Sequence, residues 1–356
     1  MKMEVLSIGQ ICSRFSSGKN ITAANIHEFG LYPVYGGNGL RGFTNSYNYD
    51  GECAIIGRQG AYCGNVKYVS GKSYMSEHAI VAVTNPNHNN RYFAYKLSLA
   101  KLGRFSGQAA QPGLSVTKLL RLKFEMPSRQ YQDRVASILS TYDSLIENNT
   151  KRIRLLEKMA ENLYKEWFVR FRFPGHENVK MVNGLPNGWK KGALSDVCEF
   201  KRGKNITSSE MKDGTIPVIS AGITPSGFHS HANVYGISVT MSSSGANAGY
   251  IAVHYSDIWA ADCSYIEEAS TPYIYYVYEL LNNIRSIINN FQRGAAQPHV
   301  YPKDINRIKM IIPSEDIRKK ANEKIGVIHR HIDNLQRQNS LLARQRDLLL
   351  PRLMSG

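Results

Sequence analysis

The chain of 356 residues is long enough for two domains, each with its own core, and none of its apolar runs approaches the length that spans a bilayer. Its 44 Lys and Arg outnumber 28 Asp and Glu, and the net charge of +16 points to a polyanionic partner, surplus lysine for solubility being the plainer reading. Five cysteines (Cys12, Cys53, Cys63, Cys198, Cys263), with no Cys-x-x-Cys pair, exclude a disulfide framework and a zinc ribbon and predict buried free thiols.

At the start of the chain, Met1-Lys2-Met3-Glu4 places an acid where a signal peptide needs its apolar segment, so a cytoplasmic protein is expected. Residues 1–128 hold 14 Lys or Arg against 6 acids, a net +8, whereas residues 173–313 hold 12 against 11. Apolar runs bounded by Gly, Asn and Pro predict strands at 53–56 and 78–83, and a helix is predicted over 90–102. Gly36-Gly37-Asn38-Gly39 lies between strand-like runs and reads as a turn, not a phosphate loop. From 128 to 173, Ile138, Tyr142, Leu145, Ile153, Leu156, Ala160, Leu163 and Trp167 recur three or four apart, with Asn149 in line. That spacing lays one stripe on a helix opened at Pro127-Ser128 and stopped at Phe173-Pro174-Gly175, a rod of roughly 60 Å at 1.5 Å per residue. A linker follows at 173–188, then strands at 237–241 and 250–254 and a helix over 272–290. After Pro313-Ser314, the residues Ile325, Ile328, Ile332, Leu335, Asn339, Leu342, Arg346, Leu349 and Leu353 form a coiled-coil seam. Both long stretches open with Pro-Ser and carry a seam Asn, which predicts an antiparallel pair with Leu145, Asn149, Leu156 and Leu163 facing Leu335, Asn339, Leu342 and Leu349. Two unrelated core helices are the other reading.

The chain is also one unit written twice. Gly18-Lys19-Asn20-Ile21-Thr22 returns as Gly203-Lys204-Asn205-Ile206-Thr207, Pro33-Val34 as Pro217-Val218, and Gly42-Phe43 as Gly227-Phe228. Gly60 and Gly64 match Gly245 and Gly249, and Ala109-Ala110-Gln111-Pro112 matches Ala295-Ala296-Gln297-Pro298. The expected fold is α+β: two repeated α/β domains at 1–128 and 174–313, joined by long helices at 129–173 and 314–356 that pair as an antiparallel coiled coil with pseudo-twofold symmetry.

With these repeats and the helix signatures Leu155-Leu156-Glu157-Lys158-Met159-Ala160, Leu163-Tyr164-Lys165-Glu166-Trp167-Phe168 and Leu348-Leu349-Leu350-Pro351-Arg352-Leu353, the chain resembles the specificity subunit of a type I restriction-modification enzyme. The resemblance implies a non-catalytic reader of a bipartite asymmetric DNA site, each globular part being a target-recognition domain for one half. It implies that the helices act as a ruler and as the docking surface for two methyltransferase subunits, with separate restriction/translocase subunits. S-adenosylmethionine, ATP and Mg are then expected on those partners and no cofactor on this chain, which has no Asn-Pro-Pro-aromatic motif and no Walker loop. A stand-alone DNA methyltransferase or nuclease, and a coiled-coil adaptor without DNA binding, are the alternatives.

Candidate DNA contacts sit on the repeated loops. Lys19-Asn20 and Lys204-Asn205 suit phosphate or an adenine edge, the other reading being a repeated turn that the fold needs, with Gly18 and Gly203 supplying positive φ. Arg58 and Gln59 match Ser243 and Ser244, a kept backbone pattern with changed polar residues, as two readers of different half-sites require. Tyr35, Asn38, Arg41 and Tyr62, and opposite them Ser220, His229 and Asn247, lie on neighbouring turns. Arg104, Gln108 and Gln111 in the first copy and Arg293, Gln297 and His299 in the second flank the Ala-Ala-Gln-Pro loop. An ordinary hairpin turn is the other reading of 58–59 and 243–244, and a structural loop closing each domain onto its helix that of the Ala-Ala-Gln-Pro loop, for which a mixed role is expected. Cys53, Cys63, His78 and His88 match no zinc spacing, and no metal is expected.

Overall fold

The structure, a computed structural model, describes residues 3–107, 113–293 and 298–355. Backbone proximity divides the chain into unit 1, residues 1–148 with 339–356, and unit 2, residues 149–338.

In unit 1 a four-stranded antiparallel sheet runs in the order Cys12–Ser17, Ala79–Thr84, Glu52–Gly57, Val66–Ser70. Successive side chains of its middle strands alternate between two cores. Ala54, Ile56, Ile80 and Ala82 pack with Tyr92, Phe93 and Leu97 of the helix Asn90–Leu99, while Cys53, Ile55, Ala79 and Val81 pack with Met75. A strand buried on both faces needs no polar alternation, which is why these positions read as unbroken apolar runs. A smaller sheet runs Gly39–Thr44, Tyr32–Gly36, Tyr74–Met75, antiparallel and then parallel. Its hairpin turns at the Gly-rich segment, where Gly39 has φ +92. Glu4–Ser7 pairs with Lys123–Met126, bringing the two ends of the globular part together.

Unit 2 repeats this plan strand for strand. Its four-stranded sheet runs Lys201–Arg202, Cys263–Glu267, Ser238–Ser242, Ile251–His254, and its three-stranded sheet runs Gly227–His229, Ile216–Ile219, Trp259–Ala260 with the same antiparallel and parallel pairings. Lys190–Ala193 pairs with Lys309–Ile312 as the counterpart ladder. The linker holds one short hairpin, Met181–Val182 with Leu185–Pro186. The helix expected over 272–290 is two pieces, Ile274–Asn283 and Arg285–Asn289. Ile284, at φ −97 and ψ 14, breaks the turn, and both Ile284 and Ile288 are buried in the core.

The long helices are Arg129–Tyr164 and Glu315–Ser355. They start alike: the Gln132 N–H donates to the Ser128 carbonyl and the Arg318 N–H to the Ser314 carbonyl, both at 3.1 Å. The first was expected to stay α-helical to Phe173. It widens instead into a π-turn at Lys165–Val169, which lets the adjacent Trp167 and Phe168 both face the core, and it ends near Phe171, at φ +59. In unit 1 the Tyr131 hydroxyl donates to the Leu353 carbonyl (3.1 Å) and Arg346 pairs with Asp143 (2.7 Å), so the two helical stretches there run antiparallel. In unit 2 Asn149 is buried and its amide donates to Gln338 (3.4 Å), while Ile325, Ile328 and Ile332 share a core with Ala160 and Tyr164. Of the expected seam, Leu335 is buried, Leu156, Leu163, Asn339, Leu342 and Leu349 are half-buried, and Leu145 is 46% exposed.

All five cysteines are free thiols, with Cys12 and Cys63 half-buried and the others buried. Among the described residues no helix is long and apolar enough to cross a membrane.

Candidate nucleic-acid interface

The duplicated Gly-Lys-Asn-Ile-Thr segment has one local geometry in both units. In unit 1 the Gly18 N–H donates to the Ala79 carbonyl (3.0 Å) and the Lys19 N–H to that of Met75 (2.9 Å). In unit 2 the Gly203 N–H donates to the Cys263 carbonyl (2.8 Å) and the Lys204 N–H to that of Ala260 (2.9 Å). Neither glycine is among those with positive φ, so that expectation is corrected. A Cβ at Gly18 would lie 2.2 Å from the Met75 carbonyl oxygen, and one at Gly203 would lie 2.4 Å from that of Ala261. Close approach of two backbones, not turn handedness, excludes a side chain at both positions. A ring then fastens each loop: the Tyr74 hydroxyl donates to the Asn20 carbonyl and the Trp259 Nε1–H to the Lys204 carbonyl, both at 2.9 Å. Ile21 is buried and Ile206 half-buried. Glycine, isoleucine and the backbone thus account for the packing. The side chains of Lys19, Asn20, Lys204 and Asn205 are exposed and take no part in it.

The motif's threonine is bonded in each unit to the residue three places on. Asn25 Nδ2 donates to Thr22 Oγ1 (3.2 Å); in unit 2 the Thr207 N–H and hydroxyl both donate to Glu210 Oε2 (2.7 Å each). Those two bonds hold the Glu210 carboxyl below the usual carboxylate range. In unit 1 a polar cleft of about 440 Å³ opens here, lined by Asn20, Thr22, Asn25, His27, Asn45 and Tyr74 among others. Sequence reasoning passed over Asn25 and Glu210. Their signal was Thr-x-x-Asn and Thr-x-x-Glu, the spacing of a side-chain cap.

Arg58 and Ser243 are structurally matched, since the Arg58 carbonyl accepts the Leu114 N–H (2.9 Å) and the Ser243 carbonyl accepts the Val300 N–H (3.0 Å). Gly60 and Gly245, at φ +81 and +73, shape both turns. Their side chains are presented differently. Arg58 Nη1 donates to Ser17 Oγ (3.2 Å), and Gln59 and Tyr62 are exposed. Ser243 and Ser244 are only 1% and 6% exposed: Ser243 meets Ser264 (3.4 Å), and the Ser244 hydroxyl donates to Asp262, which also pairs with Arg202. The Asp262 carboxylate draws that turn inward, so the serines do not stand open to solvent as Gln59 does.

The neighbouring positions divide in the same way. Asn38 and Arg41 are exposed, with Arg41 lying across Gly36, and Tyr35 is half-buried with its phenol pushed up by burial. His229 is buried, its Nδ1 accepting the Lys212 N–H (2.9 Å) and its ring edge-on to Trp259 at 5.0 Å. Ser220 pairs with Ser226 (3.0 Å), and Asn247 is half-buried. Exposed Arg104 lies over the Phe105 ring at 4.8 Å. Arg293 is exposed beside Asp304 (3.1 Å), and His299 stacks on Tyr301. Gln108, Gln111 and Gln297 lie outside the described residues. Among the described residues no three His, Cys, Asp or Glu side chains gather as a metal-holding group, Cys53, Cys63, His78 and His88 included.

A sheet-and-helix unit built twice on one chain, each copy presenting the same Lys-Asn pair beside loops of different polar character, defines a protein of two like modules. The chain belongs to the family described as type I restriction modification DNA specificity domain, which matches residues 1–158 and 186–344. It is 38% identical over 160 residues to the type I restriction enzyme EcoprrI specificity subunit of Escherichia coli, a match covering 44% of this chain and 40% of that protein. It is 26% identical over 296 residues to the MjaIX specificity subunit of Methanocaldococcus jannaschii, covering 74% of this chain and 68% of that one. The fold matches the crystal structure of a type I restriction-modification S subunit from M. genitalium with a TM-score of 0.67, at 18% identity, over 99% of this chain and 96% of that one.

Proposed function

We propose that the chain is the non-catalytic DNA-sequence-specificity subunit of a type I restriction-modification complex, reading a bipartite asymmetric site with one half per unit. The observation that carries this reading is the exposed Lys-Asn pair kept identical in both units on loops whose packing does not call for it. Phosphates are the same in every half-site, so a contact to them stays constant while base-reading side chains diverge. Lys19, Asn20, Lys204 and Asn205 are assigned to phosphate. Tyr35, Asn38, Arg41, Arg58, Gln59, Tyr62 and Arg104 in unit 1, and Ser220, Asn247, Arg293 and His299 in unit 2, are the remaining exposed or half-exposed candidates for base or phosphate.

The functional partition is then 1–128 and 174–313 as target-recognition domains and 129–173 and 314–356 as helices that dock the methyltransferase and restriction subunits. Leu155 and Leu348, 71% and 60% exposed on those helices, suit such docking. S-adenosylmethionine, ATP and Mg²⁺ belong to those partners, and the assembly works in the cytoplasm. Mapping methylated adenines genome-wide with the gene present and deleted tests the proposal: a bipartite motif should vanish on deletion. Transfer of labelled methyl groups to DNA by the purified chain alone would sink it.

A further inference from the structure

We infer that Asn25 and Glu210 are specificity-determining residues, reading one base edge each in the two half-sites. The inference rests on the DNA-specificity reading above and names side chains within it. Both residues stand three places after the threonine of the duplicated motif and are held by that threonine, so the fold places them equivalently. Both are exposed. Their chemistry differs in the way base readout uses. An amide offers a donor and an acceptor and matches adenine N6 and N7, whereas an ionised carboxylate only accepts and matches cytosine N4.

The bond to threonine does not exhaust either group. Asn25 keeps its Oδ1 and a second N–H, and Glu210 keeps Oε1. Position supports the assignment as well. Asn25 lines the polar cleft together with Asn20, and the charge of Lys204 acts on Glu210, so each stands beside the segment assigned to phosphate. The phosphate contact sets register and the neighbouring side chain reads the base.

The test uses the full chain assembled with its methyltransferase subunits and a pool of duplexes randomised across both half-sites, the retained duplexes being sequenced. Asn25→Asp and Glu210→Gln keep size and keep a partner for the threonine, so both should fold. Asn25→Asp should move the preference at one position of one half-site from adenine toward cytosine by about tenfold, and Glu210→Gln should move one position of the other half from cytosine toward adenine. Loss of preference at that single position also supports the inference. Unchanged preferences overturn it, as does uniform weakening over a whole half-site, the mark of a purely structural cap. A wild-type assembly that retains duplexes with no sequence preference would instead overturn the DNA-specificity reading itself.

Discussion

Burial, more than charge pairing, sets the titration of single residues in this molecule. Burial pushes the thiols of Cys12, Cys53, Cys198 and Cys263 up to about 12, so they are poor nucleophiles at neutral pH. His254 is the clearest case of the opposite sign. Its Nε2 meets the Thr240 hydroxyl at 2.8 Å, and desolvation pushes its pKa down to about 4 from the ordinary 6.5. Above pH 6.5 neither the folded nor the unfolded chain protonates this ring, and its contribution is constant. As pH falls from 6.5 to 4 the unfolded chain binds a proton that the fold refuses, so unit 2 loses stability over that window. His254→Gln, which can keep the bond to Thr240, should remove that part of the acid limb. Trp167, Trp189 and Trp259, the only tryptophans, all lie in unit 2, so urea unfolding followed by tryptophan fluorescence at pH 7 and pH 5 reads it directly. An equal pH-induced loss in variant and parent would refute the assignment to His254.

Among elements, the joint between the short helix and the long helix of each unit is solved twice with different chemistry. In unit 1 the Tyr95 hydroxyl donates to Asp143, which also takes Arg346. In unit 2 Glu279 meets His329 at 3.1 Å, and the Tyr255 hydroxyl meets the other His329 nitrogen at 2.8 Å. Glu279 and His329 are both buried, so His329→Leu leaves a carboxyl without its partner and should cost unit 2 about 3 kcal/mol. The double variant Glu279→Leu with His329→Leu should recover the part of that loss due to the orphaned carboxyl, the Tyr255 hydroxyl lacking its His329 partner in both variants. Tryptophan-monitored unfolding of the four proteins measures the cycle, and additive losses would show that the pair does not act as one. Such joints mark the limit of what the sequence discloses. The long helices announced themselves through 3-4 spacing, and strands buried on both faces did so as apolar runs. Lys201–Arg202 did not, being only two exposed charged residues long. The ladder of Glu4–Ser7 with Lys123–Met126 pairs residues more than a hundred positions apart, which no local pattern encodes. At the interface the repeat correctly matched 58–60 with 243–245, yet the inward turn of Ser243 and Ser244 depends on Asp262 on another segment. Asn25 and Glu210 were within reach, at one offset from one threonine, but became visible as a pair only through their bonds.

For the whole molecule, the uneven charge of the two halves decides where non-specific affinity comes from. Residues 1–128 carry +8 and residues 173–313 only +1, so unit 1 should supply most of the sequence-independent hold on DNA. Lys19→Ala and Lys204→Ala should each flatten the slope of log affinity against log salt by about one, equally on specific and random duplexes; an unchanged slope would place the backbone elsewhere. Specificity should divide by unit. Replacing residues 1–128 with the same span of a relative should change one half of the methylated motif and leave the other intact. The core tells how that exchange must be made. Val135, Ala136 and Leu139 of the first long helix and Met354 of the second are buried with Tyr92, Phe93 and Leu97, so 1–128 alone carries only part of its own core. A chimera that also takes 129–148 and 339–356 keeps every such contact native to the donor. It should unfold at higher denaturant than the 1–128 graft, the difference being roughly that of a repacked core, about 1–3 kcal/mol. Both chimeras should nevertheless read the same new half-site, because every unit 1 residue assigned to DNA lies within 1–128. Methylome mapping with either chimera decides the matter. A change in both halves of the motif would end the modular reading, and a difference in motif between the two chimeras would move base recognition onto the helices.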